Sequence, residues 1–152
     1  MSDDRLIEAF ENDTLSPEQL SHQGHLQLAF TYLTRLPLLE ASLAMRDGLK
    51  RFAARIGQSG LYHETVTLAF MSLVAERRVL SPTLTWPEFL AAYPELCDRG
   101  LLEHYYPDGE LESELARGCF LLPGRRVPAS AALQPAPART SLDRSRRHAG
   151  SP

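Results

Sequence analysis

Apolar residues recur at helical spacing through most of the chain, and Pro, Gly and Ser/Thr positions punctuate them into a series of predicted helices. Asp3 to Phe10 reads as a short amphipathic helix, with Asp3 and Asp4 at its N-terminal end and Leu6, Ile7 and Phe10 on one side. Ser16-Pro17-Glu18-Gln19 joins a capping serine, a first-turn proline and a capping-box glutamine, which marks a second start. Gly24 predicts a break or a close approach between two pieces, and the apolar run from His25 to Leu36 predicts a core helix.

Pro37 opens a helix running to about Ile56, with Leu38, Leu39, Leu43, Leu49, Phe52, Ala53 and Ile56 as its inner stripe. Gly57-Gln58-Ser59-Gly60 ends it. The helix predicted from Tyr62 to Val79 is apolar nearly all round, the mark of a helix at the centre of a bundle. Thr85-Trp86-Pro87-Glu88 is another capped start, Pro94-Glu95 opens a segment reaching Tyr105, and Glu110 to Leu121 closes the series with Leu111, Leu115, Cys119 and Phe120 inward. The pattern contains no convincing strand. It predicts an all-α fold: a single compact bundle of about five to seven helices over residues 1–123, followed by a disordered Arg/Pro/Ala-rich tail over 124–152.

Charge divides the chain at the same place. Through Pro123 there are 10 Lys and Arg against 18 Asp and Glu, a net of −8, whereas from Gly124 onward 6 Arg face 1 Asp, a net of +5. An acidic body argues against nucleic-acid binding through the folded part, which calls for a basic face. No window has the roughly 20 apolar residues of a membrane span, and the N-terminus lacks the order of a signal peptide, so the expectation is a cytoplasmic protein off the membrane. Cys97 and Cys119 are far apart and read as small buried hydrophobes.

Two polar stretches interrupt the apolar pattern. Tyr62-His63-Glu64-Thr65 heads the most apolar helix, where an ionisable group costs several kcal/mol to bury, on the order of the price of an unpaired buried charge. His22 and His25 lie three apart upstream, on one face of a helix. Considered together, His22, His25 and His63 are candidate metal ligands and Glu64 a candidate general base. Three imidazoles with an open position suit zinc or copper, and two with a carboxylate suit non-haem iron. Arg46 and Tyr62 are candidate substrate-binding residues, and Glu40 a further possible ligand. A di-iron carboxylate bundle is excluded, because Leu43 and Thr67 stand three residues after Glu40 and Glu64 where histidines would be required. His104-Tyr105-Tyr106 reads as core and interface material, with a pocket wall as the rarer alternative.

The His22-x-x-His25 pair, the Tyr62-His-Glu-Thr65 turn, Ala116-Arg117 and Leu121-Leu122-Pro123 together resemble a family of small bacterial all-helical proteins, over roughly residues 5–123. That family carries no established activity, and the resemblance implies only that the two histidine stretches belong together. The leading expectation is a metal-dependent enzyme or metal-binding protein acting on a small-molecule substrate, its site built from two histidine-bearing helices. A non-catalytic binding or adaptor module with a structural His/Glu network is the alternative. A metal-free pocket enzyme using His25 or His63 as acid-base group, with Arg46 as anion anchor, is the third.

Overall fold

The computed structural model of this 152-residue chain describes residues 2–124. Six α-helices follow in order: α1 Asp3–Glu11, α2 His22–Arg35, α3 Leu38–Arg55, α4 Glu64–Leu80, α5 Trp86–Ala92 and α6 Glu114–Gly118. Short 3₁₀ turns cover Ser59–Leu61, Pro94–Cys97 and Leu101–His104, and there is no strand among the described residues. The architecture is therefore all-α, as the periodicity predicts. The tail expected from residue 124 onward lies, apart from Gly124, outside the described residues.

Local chemistry accounts for most of the boundaries. Ser16 and Gln19 do form their reciprocal bonds, with the Ser16 amide 2.9 Å from the Gln19 side chain, but they close only a single turn. The helix proper waits for Ser21, whose hydroxyl accepts from the Gly24 amide. Gly24 is a close approach: a Cβ there would lie 2.2 Å from the Gln19 carbonyl oxygen, so only glycine lets the preceding turn fold back against α2. Thr85 and Glu88 complete the capping box of α5.

Helix α2 packs against α1, α3 and α4, and α4 against α2, α3 and α6. The core they share includes Phe10, Leu26, Leu28, Met45, Met71, Val74, Phe89 and Leu96. On α3 the buried positions are Ala41, Ser42, Met45, Gly48, Leu49 and Ala53, so the inner stripe is rotated from the expected one. Leu39 is 83% exposed and Leu43 56%. The reason is Gly48, against whose bare backbone the Phe10 ring seats; a Cβ would meet it at 2.3 Å, and this contact turns the small-residue face of α3 toward α1.

The last third of the chain departs furthest from expectation. Instead of two further long helices, residues 94–104 form two 3₁₀ turns and α6 spans a single short stretch. Leu115, Cys97 and Cys119 are exposed, correcting their inward assignment. Such a segment leaves many backbone groups without helical partners, and side chains of the long helices supply them. Thr65, fully buried in the first turn of α4, donates to the Cys119 carbonyl at 2.7 Å and accepts from the Leu121 amide at 3.1 Å. Buried Tyr106 donates to the Leu121 carbonyl at 2.9 Å.

Replacing Thr65 by Val keeps the shape and orphans two buried backbone groups, so it should cost about 2–4 kcal/mol, whereas Thr65→Ser should cost about 1. Urea denaturation of both variants checks this; a smaller loss in Thr65→Val than in Thr65→Ser would mean that the methyl rather than the hydroxyl carries the contact.

Candidate ligand-binding pocket

Helices α2, α3 and α4 do not close on one another along their full length. Between them lies a cavity of about 820 Å³, walled by Leu26 and Ala29 of α2, Met45, Leu49 and Phe52 of α3, and Val66, Phe70 and Met71 of α4. His22, His25, Tyr62, His63, Thr67, Glu18 and Arg99 add polar atoms to a wall that is otherwise apolar. A cavity of this size and lining matches sites that take small organic molecules.

The structure thus brings His22, His25, His63 and Tyr62 to one wall, from two stretches separated by some forty residues of sequence. Their ring nitrogens have different occupations. His63 is the N-cap of α4: its Nδ1 accepts from the Val66 amide at 3.2 Å, and its Nε2 donates to the Leu111 carbonyl at 2.7 Å. Both nitrogens are spent, and the ring is fixed as the neutral Nε2–H tautomer. His22 donates from Nε2 to the Leu96 carbonyl at 2.9 Å and meets the Phe70 ring edge-on at 5.1 Å.

His25 differs from both. Its Nδ1–H donates to the Ser21 carbonyl at 2.8 Å, and its Nε2 has no protein partner. Burial holds the imidazole below the usual histidine range, opposed by the Ser21 bond and assisted by the nearby His22 and Arg99. His25 is therefore a neutral, oriented imidazole with one bare nitrogen in a mostly apolar pocket.

Glu64 and Arg46 are not on this wall. Arg46 Nε donates to Glu64 Oε2 at 3.2 Å, tying α3 to α4, and Asp47 lies 3.5 Å from the same guanidinium. The Glu64 carboxylate raises the Arg46 pKa further above its ordinary value. Glu40 is exposed and also off the pocket. The Tyr62 hydroxyl is buried without a hydrogen bond, with Glu64 and Thr67 as its polar neighbours, and burial followed by the Glu64 charge pushes the phenol up. Lys50 Nζ stands 4.8 Å from the centre of its ring.

These occupations bear on the expected ligand set. A metal shared by three imidazoles needs one free nitrogen from each at about 2.0–2.1 Å, and His63 has none free while it caps α4 and holds Leu111. Among the described residues, no group of three or more His, Cys, Asp or Glu side chains is placed to hold a metal ion. His104 is exposed and Tyr106 is core, so that cluster adds nothing to the pocket. Arg99 and Thr67 are the wall residues that the pattern gave no reason to choose. Arg99 sits in an irregular stretch that reaches α2 through the His22–Leu96 bond, made across 74 residues, and through burial of Leu96 in the shared core.

No family model matches the chain, and neither a curated protein nor a solved structure is significantly similar to it.

Loss of the His63 cap and of its Leu111 bond should make His63→Ala about 1–3 kcal/mol less stable, and His63→Asn, which restores a capping acceptor, should recover about 1 kcal/mol of that; chemical denaturation measures both. For His25 the sign follows from its lowered pKa. Below the ordinary histidine value of about 6.5 the unfolded chain takes up a proton that the folded protein resists, so stability falls as pH drops through that value and levels off below the folded-state pKa. Denaturation curves at several pH values should show this slope shrinking in His25→Gln.

Proposed function

We propose that this protein binds a small, mostly apolar molecule between α2, α3 and α4, with His25 as its polar anchor. The observation that carries the reading is the bare Nε2 of His25, set in an apolar wall and held in direction by the Ser21 carbonyl. A ligand hydroxyl or N–H donates to that nitrogen while Met45, Leu49, Phe52 and Phe70 cover its apolar body. The same nitrogen is the one group of the wall arranged as a general base, since its tautomer is fixed and its neutral form is favoured. Chemistry on a bound molecule would therefore begin there rather than at Glu64, which is paired with Arg46.

One observation favours a second reading. His22 Nδ1 and His25 Nε2 are both left without a hydrogen bond, so two imidazoles of one helix face remain available to a zinc, iron or copper ion whose other positions the substrate fills. It requires nothing of His63.

Titration with a neutral fluorescent probe, N-phenyl-1-naphthylamine, tests the first reading. One saturable site with blue-shifted emission is expected. Val66→Trp, which fills the cavity from α4, should weaken binding at least tenfold with the helical circular dichroism unchanged, and Thr67→Trp serves if the first variant misfolds. Binding that survives both but is lost in Leu39→Asp would assign the probe to the exposed face of α3 and overturn the pocket. Elemental analysis of untagged protein tests the second reading: stoichiometric metal present in the parent and lost in His25→Ala supports it, and its absence from the parent removes it.

A further inference from the structure

The pocket wall carries two formal charges, Glu18 and Arg99, and they are not equivalent. The Ser16 hydroxyl close to Glu18 holds its carboxyl below the ordinary value, so it keeps its negative charge. Arg35, Arg46, Arg51 and Arg77 each face a carboxylate: Asp4, Glu64, Asp13 and Glu95. Arg99 has no such partner among the described residues, although the body of the chain is acidic.

Its position is fixed by more than the exposed side chain itself. The His22–Leu96 bond at 2.9 Å fastens the preceding 3₁₀ turn to the head of α2, and Asp98 accepts from the Gly100 amide at 2.8 Å to shape the turn that presents Arg99. His25, one helical turn from His22, lines the same cavity as Arg99. A free guanidinium, a neutral imidazole with a bare nitrogen and an apolar cavity of about 820 Å³ thus share one mouth.

Resting on the pocket reading above, we propose that the ligand is a carboxylate with an apolar body, its carboxylate at the Arg99–His25 mouth and its hydrocarbon part between α3 and α4. Arg99 pairs with one or both oxygens, for which the planar guanidinium is suited. A bare imidazole lone pair offers a carboxylate no bond, so Arg99 sets the head-group preference, and a ligand hydroxyl or N–H beside the carboxylate donates to His25 Nε2. The other titratable or charged groups around this mouth are His22, Glu18, His63 and Tyr62. Of these, His22 and His63 are tied to backbone carbonyls, and Glu18 is the one carboxylate of the wall.

Displacement of N-phenyl-1-naphthylamine by decanoate, 1-decanol and decylammonium, which share one chain length, tests the head-group preference in the intact protein. Decanoate should displace the probe about tenfold more effectively than decanol, and decylammonium least. In Arg99→Gln the preference for decanoate should vanish while probe and decanol affinities stay within twofold, and Arg99→Lys should restore part of it. Equal displacement by decanoate and decanol in the parent overturns the carboxylate assignment. So does a parallel loss of decanoate and decanol binding in Arg99→Gln, which would make Arg99 a structural residue. Failure of the probe itself to bind one saturable site overturns the pocket reading instead, so the two failures are told apart.

Discussion

The hydroxyl of Thr65 satisfies a constraint on which the rest of the molecule depends. A chain that ends its folded part in 3₁₀ turns and a short helix leaves backbone donors and acceptors exposed at the core boundary, and each must find a partner or be hydrated. Thr65 gives a donor to Cys119 and an acceptor to Leu121 from a position with no solvent access. His63 does the same for Leu111, and His22 for Leu96. The heads of α2 and α4 are therefore polar because they hold the irregular third of the chain.

This division of labour decides what the pocket can do. Polar side chains that tie down backbone are poor reagents, since using them for a ligand would release the segment they hold. The Arg46–Glu64 pair is likewise engaged, and with side-chain exposures of 36% and 17% it is partly screened, so its contribution is more to the placement of α3 against α4 than to stability. Among the imidazoles and the arginine of the wall, what remains unengaged is Nδ1 of His22, Nε2 of His25 and the guanidinium of Arg99. A site with few free polar groups in an apolar enclosure selects by shape and by one or two directed contacts.

Local signals made most of the helix starts legible. Asp3-Asp4, Pro37 and the Thr85–Glu88 box mark real starts, and the apolar run of α4 does identify the helix that touches α2, α3 and α6. The misjudged stripe of α3 has a simple cause. Leu39 and Leu43 are the more apolar residues, but a glycine at position 48 packs better against Phe10 than any side chain, and hydrophobicity counts give glycine no weight. Residues 94–121 depart from the expected helices because prolines and capping serines announce where helices begin, not whether tertiary contacts let them continue.

The histidines show where sequence reading runs out. His22, His25 and His63 were alike on composition and spacing, and all three do reach one wall. Their chemistry is set by what lies at the second nitrogen. For His63 and His22 one ring partner is a carbonyl 48 and 74 residues away, contacts that no spacing rule encodes. For His25 the partner is the Ser21 carbonyl one turn back, which also receives the His25 amide, so its orientation is a local consequence of where α2 starts. The residue whose geometry is locally determined keeps its Nε2 free, while the distant Leu96 and Leu111 carbonyls take up the Nε2–H groups of its neighbours. Gly24 completes the arrangement: by admitting the Gln19 carbonyl it sets Ser21 at the helix head, and with it the direction of His25.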